Sequence, residues 1–358
     1  MSRELWVAGY PSFYGGADTE LDHNIDLWRS VDIDVHLVPM HDSDPAMASL
    51  CEARGCHTHR YEPEIFADKI VISFCNGSFL EALSTIVERG RPRYVLWANC
   101  MTCHFDKELE AHRNGYIDRF LFQSQFQRDM LFPALDEIRE VRELEGYRPF
   151  FSLANASTSY SRAQKPDDYF GVGRISRDDG GKYHADTWIM LAKVCAPIPV
   201  KAFMLGFGEM AKQKCGAKPP CEWLDWMYWS PQAIPAADFY SRIHVLTHLT
   251  GGSRENWPRT VLEAWASGVV PIVDADFGVR EMVTHGVDGF HAQSTDEAAF
   301  LASLLAFDRN LRENIVKGGY ETLMREHCNA ERSARPFLSL FDELARSDPG
   351  RGTLVADG

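Results

Sequence analysis

Short apolar runs rich in β-branched and aromatic residues alternate along the chain with segments whose apolar positions recur at helical spacing. This alternation is the signature of a parallel sheet joined by crossover helices. The spacing predicts strands at Leu5–Tyr10, Ile33–Pro39, Lys69–Phe74, Tyr94–Ala98 and Arg119–Gln123, with helices such as Ala17–Ser30 and Ser78–Arg89 between them. The rhythm then restarts, with strands expected at Tyr169–Ile175, Val200–Leu205, Trp226–Ser230, His244–Leu249 and Val270–Asp274. Beyond Thr295 three helical segments follow, the last around Ala330–Ala345. A polar stretch without periodicity, Ser152–Asp168, ends in a Pro-Asp turn signal and marks a seam. The expected organisation is two Rossmann-like α/β domains, residues 1–160 and 161–335, followed by a C-terminal helix and loose tail at 336–358. Ligands of open α/β sheets bind beyond the carboxyl ends of the strands, so a cleft between two such domains is the expected site.

Composition narrows the class. The chain is 45% hydrophobic and 25% charged, ordinary globular usage that excludes disordered, collagen-like and coiled-coil readings. No apolar run reaches the roughly 18–20 residues of a membrane span, and Glu4 interrupts the first ten residues, so a soluble, cytoplasmic protein is expected. Thirty-seven basic against 51 acidic residues leave a net charge of −14, spread along the chain. That balance disfavours a general nucleic-acid binder or a protein held on anionic lipid, while leaving room for a local phosphate site. Nine cysteines, odd in number and irregularly spaced, suit scattered cytosolic thiols better than a disulfide framework. Cys100-Met101-Thr102-Cys103-His104 matches the haem-attachment pattern, and its cysteine pair is half of a zinc or redox motif. Haem is attached on the exported side of membranes and no export signal is visible, so packing or a site-lining loop is the reading adopted; no metal and no cofactor are expected.

The densest chemistry lies in Gly252-Ser253-Arg254-Glu255-Asn256-Trp257-Pro258-Arg259-Thr260-Val261-Leu262-Glu263. A strand runs into a loop carrying Glu255, and Pro258 suits the opening of the next helix, whose first N–H groups have no partner in any case. Such a helix start offers an anion site. Glu255 before the helix and Glu263 inside it are placed to grip different parts of one elongated ligand. The plainer alternative has Glu255 capping the helix and Glu263 in a surface ion pair.

With seven residues between Glu255 and Glu263, followed by Ala264-Trp265-Ala266-Ser267-Gly268-Val269-Val270-Pro271, the chain resembles the family-4 retaining glycosyltransferases of GT-B fold. The resemblance continues through Gly278-Val279-Arg280-Glu281 and Gly286-Val287-Asp288-Gly289-Phe290. Upstream, Gly173-Arg174-Ile175-Ser176 followed by Lys182 looks like the family's Arg and Lys pair, and Gly15-Gly16 looks like its glycine-rich first loop. The resemblance implies transfer of a sugar from a nucleotide-diphosphate sugar, UDP- or GDP-linked, to an acceptor hydroxyl with retention of configuration and without a metal. It implies that Arg174 and Lys182 stabilise the departing phosphate, that Glu255 holds donor-sugar hydroxyls with help from the backbone N–H groups of Asn256, Trp257, Arg259 and Thr260, and that Glu263 holds the ribose. Gly15 and Gly16 are expected on the donor site, their loop allowing close backbone approach to donor and acceptor. Retention in this family is usually explained by front-face displacement, with the departing phosphate taking the acceptor's proton.

Three departures stand out. Pro258 replaces a frequent glycine, Lys182 follows Arg174 by eight residues rather than five or six, and Trp97-Ala98-Asn99-Cys100 occupies the place of a first-domain histidine. Asn99 and His104 are the candidates for that histidine's hydrogen bond, and Tyr14 is expected beside donor or acceptor. Glu281 is expected to contact the donor or to pair with Arg280. A glycan or small-molecule acceptor is preferred by elimination, a nucleic-acid acceptor being disfavoured. The rivals are an NAD-dependent oxidoreductase, suggested by Gly171-x-Gly173 and Gly206-x-Gly208, a non-catalytic nucleotide-sugar binding module, and another sugar-nucleotide enzyme such as an epimerase.

Overall fold

The computed structural model describes residues 3–12, 15–41, 44–155 and 164–346. Among these described residues twelve parallel strands form two six-stranded sheets. The first sheet contains β1 (Glu4–Ala8), β2 (Asp34–Val38), β3 (His57–Thr58), β4 (Ile70–Phe74), β5 (Tyr94–Ala98) and β6 (Arg119–Leu121) in the order β3-β2-β1-β4-β5-β6. The second contains β7 (Phe170–Ile175), β8 (Val200–Leu205), β9 (Asp225–Trp229), β10 (Val245–His248), β11 (Val270–Asp274) and β12 (Phe290–Ala292) in the order β12-β11-β10-β7-β8-β9. Read from its first strand outward, each sheet is doubly wound, with its topological switch between β1 and β4 or between β7 and β10. The restart of the sequence pattern is thus a second α/β sheet of the same kind. All ten predicted strands are present, displaced by at most two residues at an end. The two strands without a sequence expectation, β3 and β12, have two and three residues and each lies at a sheet edge.

The chain forms two compact units, Met1–Gln123 with Gln127–Phe150 and Asn329–Gly358, and Ser124–Phe126 with Phe151–Cys328. The final helix, Ala330–Arg346, belongs to the first unit, where the sequence reading lists a C-terminal helix and loose tail at 336–358 separately from both domains. Its apolar face explains the return: Phe337, Leu340 and Leu344 are buried, and the Phe337 ring meets Trp28 edge-on at 5.4 Å. Among the described residues no helix is long and apolar enough to cross a membrane. All nine cysteines are free thiols.

In the second unit the core is fixed by glycines at which a side chain has no room. A Cβ on Gly171 would lie 2.1 Å from the Arg242 carbonyl oxygen, and one on Gly173 would lie 2.7 Å from the Phe239 ring. Beside Gly171, His244 is buried, stacks on Phe170 at 5.0 Å, and accepts the Gly171 N–H at Nδ1 over 3.0 Å. Burial, and then the nearby Arg312 and Lys165, push its pKa down to about 4. Between that value and the unfolded histidine value of about 6.5 the unfolded chain binds more protons. Stability is therefore full above pH 6.5 and lost as pH falls toward 4, by about 2–3 kcal/mol from this residue. His36, half-buried and also lowered to about 4, acts in the same direction. Denaturant titrations across this range should show the slope, and His244→Asn, which keeps an acceptor for Gly171, should flatten part of it. An unchanged slope in that variant would refute the assignment.

Candidate functional site

At the switch point of the second sheet, β7 ends in Arg174-Ile175 and β10 ends in His248. Arg174 is 1% exposed. Its Nη1 donates to the Ile175 carbonyl at 2.8 Å and to Nδ1 of His248 at 2.7 Å, and Nη2 donates to the Lys182 carbonyl. Among the described residues no carboxylate accepts a hydrogen bond from it, and Nε has no partner. The guanidinium also lies over the Tyr183 ring, 5.4 Å from its centre. Burial pulls its pKa below the usual arginine value, with Tyr183, Glu255 and Asp274 opposing. A buried cation held by carbonyls and an imidazole keeps its charge uncompensated by contact, a costly arrangement that an anionic ligand relieves.

The longer loop after β7 serves to place Lys182. Asp179 accepts the Gly181 N–H at 2.9 Å and opens a single 3-10 turn, Gly180–Lys182. Asp178 accepts the N–H groups of Met210 and Ala211 at the start of the helix Glu209–Cys215. The Gly181 carbonyl in turn accepts from Gly251 N and Ser253 N, both at 3.0 Å, which ties this loop to the one after β10. Lys182 Nζ consequently forms an ion pair with Glu255, whose side chain is 9% exposed. Glu255 does not cap the helix Arg259–Ala266, whose cap residue is Pro258 with no side-chain bond.

Glu263 is not in a surface ion pair. It is partly buried and accepts the Tyr240 hydroxyl at 3.0 Å, and burial raises its pKa. Thr260 faces inward, its Oγ1 3.2 Å from Nδ1 of His248. Trp257 has its side chain in an apolar cluster with Phe151, Val261 and Met282, and the Arg259 guanidinium lies over the Phe151 ring at 5.2 Å. Asn256 accepts the Ser124 hydroxyl. Within the run Asn256–Thr260, the Thr260 side chain meets the Arg174 cluster through His248. Glu281 does not pair with its neighbour Arg280; its carboxylate accepts the N–H groups of Gln125 at 2.8 Å and Phe126 at 2.6 Å.

Two more polar residues reach the strand ends, and the sequence reading does not single them out. His248 is buried and its pKa lies well below the ordinary value, from burial and the Arg174 and Lys182 charges. Asp274, at the end of β11, accepts both N–H and hydroxyl of Thr250 at 2.9 Å, and burial raises its pKa. The signal available is a polar residue closing an otherwise apolar parallel strand.

In the first unit Gly15 has φ +99°, which accounts for glycine there, and Gly16 opens the helix Gly16–Ser30 with open space at its Cα. Tyr14 lies outside the described residues. Asn99 and His104 converge on Glu108: Asn99 Nδ2 donates to it at 3.0 Å, and His104 Nδ1 lies 3.3 Å away. His104 Nε2 also lies 2.8 Å from the Leu131 carbonyl oxygen. The Cys100–His104 segment is thus a loop braced from within.

Residues 214–322 match the family described as glycosyl transferases group 1. No curated protein matches the chain in sequence. Among solved structures, HepE of Anabaena, in complex with UDP and glucose, is similar at 14% identity and TM-score 0.67, over 96% of this chain and 100% of that one. TarM of S. aureus, solved with fondaparinux, alpha-GlcNAc-glycerol and UDP, is similar at 8% identity and TM-score 0.68, over 95% and 100%. Sucrose-phosphate synthase of Thermosynechococcus elongatus is similar at 14% identity and TM-score 0.61, over 96% and 99%. These likenesses show the GT-B fold.

Proposed function

We propose that this protein is a retaining glycosyltransferase that moves a sugar from a nucleotide-diphosphate sugar, UDP-linked in the first instance, to a hydroxyl of a glycan or small molecule. The observation that carries the reading is the Arg174 guanidinium, buried at the switch point without a carboxylate in contact, beside the Lys182–Glu255 pair. Arg174 and Lys182 supply the positive charge for the diphosphate, so no metal is required in the scheme. Glu255 releases part of its hold on Lys182 and accepts hydroxyls of the donor sugar, and Glu263 with Tyr240 takes the ribose. The bond from the sugar's anomeric carbon to the phosphate oxygen breaks with its electron pair going to the diphosphate. The acceptor oxygen bonds to the same face of that carbon, and its proton ends on the departing phosphate. The first unit serves the acceptor side, and its Gly15-Gly16 loop lets the backbone approach the donor as well as the acceptor.

The oxidoreductase alternative is not favoured, because its glycines have a packing reason. A Cβ on Gly206 would lie 1.6 Å from the Ser176 carbonyl oxygen and one on Gly208 2.3 Å from the Asp178 carboxylate, as with Gly171 and Gly173.

Thermal melts in UDP, GDP, ADP, TDP and NAD test the proposal. One diphosphate at 100 times its dissociation constant should add about 2.7 kcal/mol, with and without Mg²⁺. No shift with any diphosphate, or a shift with NAD alone, would overturn it.

A further inference from the structure

The one side chain that accepts a hydrogen bond from Arg174 among the described residues is a histidine, not a carboxylate. Arginine is always protonated, so Nη1 is the donor in its 2.7 Å contact with His248, and Nδ1 must be the acceptor. That assigns the neutral His248 tautomer with its proton on Nε2, an atom that is buried and has no partner among the described residues. Thr260 Oγ1 lies 3.2 Å from the same Nδ1, so one imidazole nitrogen links the end of β7, the end of β10 and the first turn of the helix Arg259–Ala266. His248 is itself the last residue of β10, whose register against β7 pairs Val245 with Val172 and Leu246 with Gly173. Strand pairing, not a flexible side chain, therefore sets where the imidazole stands.

The chemical consequence lies in what a histidine does not do. A carboxylate at this place would orient the guanidinium equally well but would cancel its charge within hydrogen-bond distance. Backbone carbonyls alone, from Ile175 and Lys182, orient it without anchoring it to the helix start. A neutral imidazole acceptor does both: it fixes the plane of the guanidinium and leaves a whole positive charge for a ligand. The second unit thus keeps a full cation where two strand ends and a helix start meet, the place at which doubly wound sheets receive phosphates.

We propose that His248 is a positioning residue for diphosphate recognition, acting through Arg174 as a charge-preserving acceptor. This rests on the glycosyltransferase reading above, for which the diphosphate is the donor's leaving group.

The test compares His248→Asn, His248→Asp and His248→Leu, measuring UDP affinity by calorimetry and the melting temperature of each full-length protein. Asparagine and aspartate have the same shape and put an oxygen near the place of Nδ1, so their contrast isolates charge. His248→Asn should bind UDP within about three-fold of the original protein. His248→Asp should melt at the same or a higher temperature, because it pairs with a buried cation, yet bind UDP about 30- to 100-fold more weakly. A purely structural role would instead leave UDP affinity following the melting temperature across the series. If His248→Asp does not fold, His248→Leu, which has no acceptor, should lose about ten-fold in affinity while His248→Asn does not. Binding by the aspartate variant equal to that of the original protein, or equal loss in the Asn and Leu variants, would overturn the proposal while the glycosyltransferase reading stood. Failure of the unaltered protein to bind any nucleoside diphosphate would overturn the reading itself.

Discussion

Glu255→Gln is expected to lower sugar transfer by on the order of 10²–10³-fold while leaving the fold intact. The change removes one charge and no volume. Glu255 is 7% exposed and its carboxylate is the ion-pair partner of Lys182. A neutral amide cannot hold two donor hydroxyls as a carboxylate does, and it releases the lysine. UDP, which lacks the sugar, should then bind as tightly as before or more tightly, because Lys182 no longer divides its charge between Glu255 and the diphosphate. Turnover and product affinity moving in opposite directions is a pattern that simple unfolding cannot produce. Stability should fall by about 1–3 kcal/mol, from leaving a partly buried lysine without its carboxylate. Initial rates with the donor identified by thermal melts, together with calorimetry on UDP, check both arms. A variant with near-normal rates would remove Glu255 from the chemistry.

Gly206→Ala should destabilise the second unit by about 3 kcal/mol or more. Gly206 has φ +81°, a conformation that alanine adopts only at a cost of about 1–2 kcal/mol. Its added carbon would also stand 1.6 Å from the Ser176 carbonyl oxygen, a backbone atom that cannot swing aside. Ser176 is bonded through its N–H to the Leu205 carbonyl, so relief requires β7 and β8 to part just beyond Arg174. Urea titration followed by tryptophan fluorescence reads the loss, and Trp188 and Trp265, both buried in this unit, report it. A change below about 1 kcal/mol would mean that the strand ends yield more easily than their hydrogen bonds indicate.

Part of the candidate site is legible in the amino-acid sequence, and the reasons differ from residue to residue. Glu255 and Glu263 stand out by their spacing around a strand-to-helix turn, and Arg174 and Lys182 by the resemblance of their segment to a known Arg and Lys pair. His248 and Asp274 look ordinary in sequence, since a polar residue closing a short, largely apolar run also marks the plain end of a strand. Their roles depend on which strand ends are neighbours: β10 lies between β7 and β11 although β8 and β9 separate it from β7 in the chain. Trp257 and Arg259 enter the expectation through their backbone N–H groups, and the fate of their side chains is a separate matter: Trp257 joins the apolar cluster that contains Phe151, and Arg259 lies over the Phe151 ring. Asn99 and His104 are suited by type to hydrogen bonding with a ligand, and the buried Glu108 engages both.

By itself the sequence determined the α/β class, ten of the strands, the repetition of one α/β pattern and the two glutamates eight positions apart. All of these are local: strand and helix periods, turn residues and motif spacing are written in neighbours a few positions apart. Only the tertiary structure decided that Lys182 pairs with Glu255, that His248 holds Arg174, that Glu281 binds the N–H groups of Gln125 and Phe126, and that Ala330–Arg346 completes the first unit. Each of these joins residues far apart in the chain. Partner choice at such distances is set by strand order and by burial of whole apolar faces, which no local period encodes.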